Sequence, residues 1–208
     1  CEKRGVSHPL IVTDNGLVTL GLIAPIAQAI ANQCDSVTLF DGVSADPSES
    51  VVEAAYAVAR DNHVDSVIAV GGGSSMDVAK AIAVLANGTQ VLPELYGVDK
   101  VTGGRLPLVL IPTTAGTGSE VTPVAVITTG ETTKAGISAT ALLPDVAILD
   151  AELTVGLPPH VTAMTGIDAM VHAIEAYTSK IKKNPISDML SRQALKLLAG
   201  NQRRVLSH

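Results

Sequence analysis

The chain has 208 residues, a length that allows one large domain, or one domain and part of a second. Apolar residues make up 47% of the sequence and aromatic residues only 2%, so the core must be built mainly from alanine, valine, leucine and isoleucine. The formal net charge of −6, with no basic cluster larger than a pair, argues against nucleic acid or an anionic membrane as a partner. Two cysteines provide no disulfide framework, which fits a reducing compartment such as the cytoplasm. No apolar run reaches the roughly 18 residues that a membrane span needs.

Short β-branched segments alternate with helical patterns over the first 150 residues, which predicts parallel β–α–β units. Strands are predicted at residues 9–13, 36–40, 66–70, 106–111, 121–128 and 146–149. Helices are predicted between them at residues 17–32, 51–62 and 74–85. Two further helices, at residues 161–179 and 186–198, follow each other with no strand between them. We therefore predict an α/β fold, with a Rossmann-like parallel-sheet domain at residues 1–150 and the beginning of an all-helical domain at residues 151–208.

Three consecutive glycines follow the strand predicted at residues 66–70 and lead into a helix. The unpaired amides and the dipole of a helix N-terminus favour an anion, and glycines let a pyrophosphate approach the backbone closely. The pattern is neither the G-x-x-x-x-G-K-[ST] of an ATP- or GTP-binding loop nor the G-x-G-x-x-G of the ordinary dinucleotide fingerprint. Residues 71–75 are thus a candidate pyrophosphate site, and the alternative is a glycine-rich turn that serves packing alone.

A second loop, at residues 111–120, also follows a buried strand and offers the hydroxyls of Thr113, Thr114 and Thr117 together with two glycines. Open α/β sheets bind ligands outside the carboxyl ends of their strands, so we expect both loops to face one crevice. For the second loop taken alone, the alternative is an ordinary turn.

Asp14 follows the first predicted strand. In dinucleotide-binding folds a carboxylate near the adenosine ribose accepts hydrogen bonds from its hydroxyls and repels a 2′-phosphate, so Asp14 is a candidate for selecting NAD over NADP. The alternative is that Asp14 belongs to an Asp-Asn-Gly turn with no ligand.

Asp168 and His172 are four residues apart in the helix predicted at residues 161–179, so both side chains leave one face of that helix. This spacing suits two ligands of one divalent metal, and carboxylate with imidazole suits iron(II) or zinc(II). The alternative is a helical Asp–His ion pair or a solvated face. A catalytic zinc usually has three protein ligands, and the remaining histidines form no second pair of this kind.

Taken in order, these segments resemble the iron-containing (group III) alcohol dehydrogenases, from about residue 9 to about residue 199. Four segments carry the resemblance: Gly-Gly-Gly-Ser at 71–74, Pro-Thr-Thr-Ala-Gly-Thr-Gly-Ser-Glu at 112–120, Leu-Pro-Asp-Val-Ala-Ile-Leu-Asp at 143–150, and Gly-Ile-Asp-Ala at 166–169 with His-Ala-Ile-Glu at 172–175. The resemblance implies a dinucleotide-binding domain followed by a helical domain, in a fold shared with dehydroquinate synthase. It implies hydride transfer between a primary alcohol or diol, or its aldehyde, and the nicotinamide, with a metal acting as Lewis acid on the substrate oxygen.

The resemblance also assigns roles to individual residues. It implies that Gly72, Gly73 and Ser74 hold the pyrophosphate, that Lys134 reaches the nicotinamide ribose, and that Thr113, Thr114 and Thr117 line the cofactor cleft. It favours NAD rather than NADP through Asp14, and it makes Asp168 and His172 two of the four metal ligands.

The family's other two metal ligands are histidines in a later motif that this chain does not contain. We therefore expect a fragment of such an enzyme that ends within the helical domain. Two alternatives remain: a non-catalytic NAD-binding module, and a relative of the glycerol dehydrogenase or dehydroquinate synthase type. We also expect a homo-oligomer, because the apolar surfaces of the helices at residues 161–179 and 186–198 would be left uncovered.

Overall fold

The computed structural model describes residues 5–206, which form two compact units. The first unit contains the described residues up to Thr113 together with Ser119–Asp150. The second contains Thr114–Gly118 together with the described residues from Ala151 onward. None of the helices in the described part of the chain is long and apolar enough to cross a membrane.

The first unit contains two sheets. The strands are β1 (Pro9–Val12), β2 (Thr38–Phe40), β3 (Ser66–Gly71), β4 (Gly97–Val98), β5 (Leu108–Pro112), β6 (Val124–Thr129), β7 (Thr133–Ser138) and β8 (Val146–Ala147). Five of them form a parallel sheet in the order β2-β1-β3-β5-β8. Every residue of β1 and β3 is buried, as expected for apolar strands covered on both faces. The predicted α/β class with a parallel sheet is confirmed.

The second sheet was not predicted as such. It has the order β4-β7-β6, and β6 and β7 form an antiparallel hairpin. Gly130, with φ of 65°, allows the tight turn between them. The prediction contained a strand at residues 121–128 but no partner for it. In β7 only Ile137 is buried, so this strand has no apolar alternation by which it could be recognised.

The helices are α1 (Asn15–Thr19), α2 (Ile23–Ala31), α3 (Glu49–Asp61), α4 (Gly73–Leu85), α5 (Leu92–Leu95), α6 (Pro159–Thr178) and α7 (Pro185–Leu206). The single helix predicted at residues 17–32 is wrong, because the chain breaks it at Gly21, whose φ of 77° is outside the helical region. In the second unit, α7 continues to Leu206, past its predicted end at residue 198.

The central helix of the first unit is α4. Apolar side chains cover it on nearly every face, and its buried residues belong to the same core cluster as those of β1, β3 and β5. Because α4 begins directly after β3, this packing fixes the position of its N-terminal turn at the carboxyl end of the parallel sheet.

Candidate functional site

The carboxyl ends of β1, β3 and β5 meet at one edge of the parallel sheet, because these strands are parallel neighbours. Asp14 follows β1, Gly72 follows β3 and Thr113 follows β5. The amide of Thr113 donates a 3.0 Å hydrogen bond to the carbonyl of Gly71, which ties the last two strand ends together. The structure therefore brings these predicted residues of the first unit to the edge where open α/β sheets bind ligands.

The N-terminus of α4 is open at this edge. Its N-cap is Gly72, with extended backbone and no side chain to satisfy the amides of the first turn, and no acidic residue lies in that turn. These amides therefore remain available to an anion, and the helix dipole adds positive charge. A Cβ at Gly71 would lie 2.7 Å from the Cβ of Ser75, so the close fit of strand and helix needs glycine there. Gly72, Gly73 and Ser74 fit a pyrophosphate by this geometry.

Asp14 is the N-cap of α1, and its Oδ1 accepts a 3.0 Å hydrogen bond from the amide of Leu17. The local turn that the sequence offered as an alternative is thus present. A carboxylate accepts several hydrogen bonds, so capping does not prevent Asp14 from accepting others from a ribose.

Lys134 lies on β7, in the three-stranded sheet rather than at the carboxyl edge of the parallel sheet. Its Nζ donates to Asp46 Oδ1 over 2.6 Å, and 52% of its side chain is exposed. Asp46 has a φ of 51° and also receives a hydrogen bond from the Thr128 hydroxyl at its carbonyl oxygen. The structure therefore pairs Lys134 with the loop before α3, a partner that the sequence analysis did not anticipate.

The predicted residues Thr114 and Thr117 belong to the second unit. Within the described residues, Thr114 Oγ1 is buried and has no hydrogen-bond partner. Buried hydroxyls are normally satisfied, so this atom fits a contact with a bound group such as a cofactor.

Asp168 and His172 lie one turn apart on α6, with 3.8 Å between Asp168 Oδ1 and His172 Nε2. About half of each side chain is exposed, at 46% and 50%. An open carboxylate and imidazole at this separation fit two ligands of one metal ion. Among residues 5–206 no group of three or more His, Cys, Asp or Glu side chains converges, so Asp168 and His172 are a pair of candidate ligands without a third from the described residues.

A buried polar network in the first unit was missed by the sequence analysis. Lys80 on α4 is fully buried, and its Nζ donates to Ser119 Oγ at 2.8 Å and to the carbonyl of Val124 at 2.7 Å. Ser119 Oγ in turn donates to Asp77 Oδ1 at 2.7 Å, and the amide of Val126 donates to Asp77 Oδ2 at 3.0 Å. The signal was available: two charged residues three positions apart lie in an otherwise apolar helix.

The charges of this network are perturbed by their surroundings. Burial lowers the pKa of Lys80 to about 8, although Asp77 and Glu120 partly oppose this. Burial raises the pKa of Asp77, against the hydrogen bonds from Ser119 and Val126 and the nearby ammonium. In both cases the loss of water outweighs the attraction between the two groups, whose charged atoms are 3.8 Å apart.

Comparison with known proteins matches residues 1–151 to the family model described as iron-containing alcohol dehydrogenase. Residues 162–208 match the model of the C-terminal part of the Fe-containing alcohol dehydrogenase family. Long-chain-alcohol dehydrogenase 1 of Geobacillus thermodenitrificans is 42% identical in an alignment of 210 positions, which covers 100% of this chain and 53% of the relative. The chain thus spans about half the length of the curated relatives it matches.

Solved structures agree with this match. A 1,3-propanediol oxidoreductase superposes with a TM-score of 0.94 at 38% identity, covering 100% of this chain and 54% of that one. The sulfoacetaldehyde reductase of Bifidobacterium kashiwanohense, solved in complex with NAD+, superposes with a TM-score of 0.89 at 36% identity, covering 100% of this chain and 55% of that one.

Proposed function

The chain belongs to the iron-containing alcohol dehydrogenase family. From that premise we propose that it binds NAD and supplies two ligands of a metal ion, for the oxidation of an alcohol or the reduction of its aldehyde. The substrate class we propose is a primary alcohol or diol, in keeping with relatives named for long-chain alcohols and for 1,3-propanediol. We propose residues 1–150 as the dinucleotide-binding domain and residues 151–208 as the start of the metal-binding domain.

One observation carries the cofactor proposal: the uncapped N-terminus of α4 at the carboxyl edge of the parallel sheet. We propose that Gly72, Gly73 and Ser74 hold the pyrophosphate there and that Thr113 lies beside it. Asp14, at the end of the neighbouring β1, would accept hydrogen bonds from the adenosine ribose and favour NAD over NADP.

Further residues are assigned by family membership together with the contacts described above. Thr114 and Thr117 would contact the cofactor, and the unpartnered hydroxyl of Thr114 supports this role. Lys134 would reach the nicotinamide ribose after exchanging its pairing with Asp46.

We propose iron(II) as the metal, because the matched family is iron-containing, although carboxylate and imidazole also suit zinc(II). Asp168 and His172 would hold it from one face of α6. The bound metal supplies Lewis-acid polarisation of the substrate oxygen, and the nicotinamide supplies the hydride acceptor. The contribution of this chain is to fix two ligands and the cofactor on rigid elements.

We also propose that the protein acts in the cytoplasm as a homo-oligomer. The sequence contains two cysteines, and Cys34 is free, as expected in a reducing compartment. Exposed apolar side chains on α6 and α7 support self-association.

The test of the proposed function is alcohol-dependent reduction of NAD+ by the purified gene product supplied with iron(II), together with its iron content. Asp168→Ala and His172→Ala should each abolish turnover and lower the iron content, since each removes a ligand. His160→Ala is the matched control, because His160 is an exposed histidine at the other end of the same helix. Equal iron content in all variants would contradict the metal assignment.

A non-catalytic NAD-binding module is the second candidate, favoured by the absence of a third converging ligand among residues 5–206. The same assay separates the two functions. A module would bind NAD+ but fail to reduce it with every primary alcohol and diol tried.

A further inference from the structure

The loop that follows β5, residues 113–119, carries three of the proposed cofactor residues and is called the threonine loop below. Both of its ends are anchored in the first unit. At its start, the amide of Thr113 donates to the carbonyl of Gly71, the residue before the proposed pyrophosphate turn. At its end, Ser119 begins a short 3₁₀ helix and is held by the buried network of α4. Thr113 and Ser119 therefore fix the two ends of the threonine loop in the first unit.

The hydrogen bonds that hold Ser119 require the burial of a charged group, which is costly in free energy for a contact that serves packing alone. Lys80 is fully buried and Ser119 is nearly so, so the network removes an ammonium group from water to hold one hydroxyl and one carbonyl. Apolar side chains of similar volume would normally pack α4 at lower cost, because burying a charge is expensive even when it is paired. A polar network in this place instead specifies one position for the groups it bonds.

The network also joins this loop to the pyrophosphate turn. Asp77 and Lys80 lie on the first two turns of α4, the helix whose N-terminal amides are proposed to hold the phosphates. Asp77 accepts from Ser119 and from the amide of Val126 on β6, and Lys80 donates to Ser119 and to the carbonyl of Val124. Displacement of Ser119 therefore has to break hydrogen bonds to the same helix that presents the amides.

We propose that Lys80 and Asp77, acting through Ser119, are positioning residues for NAD binding: they hold Ser119, the last residue of the threonine loop, in a fixed position on α4. This inference rests on the proposed function. None of the three side chains needs to touch the cofactor.

The experiment is calorimetric titration of the chain with NAD+ for the wild type, Ser119→Ala and Lys80→Met, with thermal denaturation of each. Ser119→Ala removes only the bridging hydroxyl, so it should fold. Binding of NAD+ then has to reorder the end of the loop, so the dissociation constant should rise by about fivefold to tenfold, at most the equivalent of the internal hydrogen bond that the variant loses. Lys80→Met keeps the volume and removes the charge, and it should weaken binding at least as much.

The matched control is Ser66→Ala. Ser66 is equally buried, donates to Asp65 Oδ1, and begins β3 at the end opposite to Gly71. It should lower the melting temperature while leaving the dissociation constant for NAD+ unchanged. A control that weakens NAD+ binding as strongly as Ser119→Ala would overturn the positioning role, because general destabilisation would then explain both.

Hydrogen exchange gives a readout that does not depend on NAD+. Backbone amides in residues 113–124 should exchange faster in Ser119→Ala than in the wild type, and those of β1 should not change. Unchanged NAD+ affinity or unchanged exchange in this segment would each sink the inference while wild-type binding remains intact. A wild type that does not bind NAD+ would instead refute the proposed function, and the positioning role with it.

Discussion

At the scale of single residues, the least expected feature is a lysine ammonium inside an apolar helix. Lys80 has no exposed surface, and burial lowers its pKa to about 8 because the charged form loses its water. Hydrogen bonds to Ser119 and Val124 satisfy two of its three donors. These hydrogen bonds compensate only part of the lost hydration, so burying the charged form has a cost that depends on pH.

The first prediction concerns this dependence on pH. Between about pH 8 and the ordinary pKa of 10.5, the unfolded chain keeps the Lys80 proton and the folded chain has lost it. The unfolded state then binds more protons, so the Lys80 contribution to the free energy of unfolding rises with pH in this window. Lys80→Met lacks this contribution.

Urea denaturation at several pH values measures it. The free energy of unfolding of the wild type minus that of Lys80→Met should increase from about pH 7.5 to about pH 9.5. Taking the difference between the two proteins cancels titration of groups that both retain, such as Asp77 and Glu120, to the extent that the substitution leaves them unperturbed. A difference that stays flat or decreases over this range would show that Lys80 is not desolvated as described.

The second prediction concerns Asp14, which caps α1 and is proposed to select NAD. Asp14→Ser keeps a capping oxygen and removes the charge, so it should raise NADP+ affinity roughly tenfold relative to NAD+ with little loss of stability. Asp14→Ala removes both and should also cost about 1 kcal/mol of stability through the lost cap. Titration of both variants with both cofactors checks this, and an unchanged cofactor preference in Asp14→Ser would refute the selecting role.

Functional residues could be predicted from the sequence where the groups concerned lie close together in the chain. The glycines before α4 and the pair Asp168 and His172 are readable because the relevant groups lie within one turn of helix. The contact between Lys80 and Ser119 spans 39 positions, and that between Lys134 and Asp46 spans 88, so no local spacing predicts them.

At the scale of elements, two glycines of the second unit differ in what they permit. A Cβ at Gly116 would collide with the backbone carbonyl of Thr165, which belongs to α6 and cannot move alone. A Cβ at Gly166 would meet the side-chain amide of Gln202, which is the end of a flexible side chain. That amide donates a 3.1 Å hydrogen bond to the carbonyl of Ala163 and so links α7 to α6.

The third prediction follows from this difference. Gly116→Ala should destabilise the chain by about 1–3 kcal/mol, the usual cost of forcing atoms into a packed site. Gly166→Ala should be nearly neutral, because the loss of about 1 kcal/mol from one hydrogen bond is offset by about 1 kcal/mol of helix propensity. Thermal denaturation of the two variants compares their stabilities. A larger loss of stability in Gly166→Ala than in Gly116→Ala would contradict the prediction.

Elements with a strong apolar period were predicted well and elements without one were not. The strands β1, β3 and β5 are apolar and buried, so their runs were recognisable. The break at Gly21 depends on one left-handed residue in a continuous apolar stretch, and β7 has one buried side chain. The extended conformation of β7 follows from its pairing with β6, which the local apolar pattern does not contain.

At the scale of the whole molecule, the two long helices of the second unit carry many exposed large apolar side chains. Large apolar side chains on α6 and α7 are half or more exposed, among them Met164, Ile167, Ile186, Met189, Leu190 and Leu197. Exposed apolar side chains that gather on one part of a protein are typical of interaction surfaces.

The fourth prediction is that the chain self-associates through these two helices. Light scattering behind size-exclusion chromatography should give a mass above that of one chain at high protein concentration. Ile186→Glu and Leu190→Glu, which place charges on exposed positions of α7, should shift the mass towards a monomer. Val98→Glu is the control, since Val98 is an exposed apolar residue of the first unit. A clean monomer for the wild type would contradict the prediction.

The N-terminal turn of α4 is proposed to hold the pyrophosphate of NAD, and this role is tested by titrating both the wild type and Gly73→Asp with NAD+. An aspartate in the first turn stabilises a helix but repels a phosphate, so loss of binding in this variant cannot be attributed to a weakened helix. We expect saturable NAD+ binding by the wild type and none by Gly73→Asp, with both proteins folded. Equal binding by the two proteins, or no binding by the wild type, would contradict it.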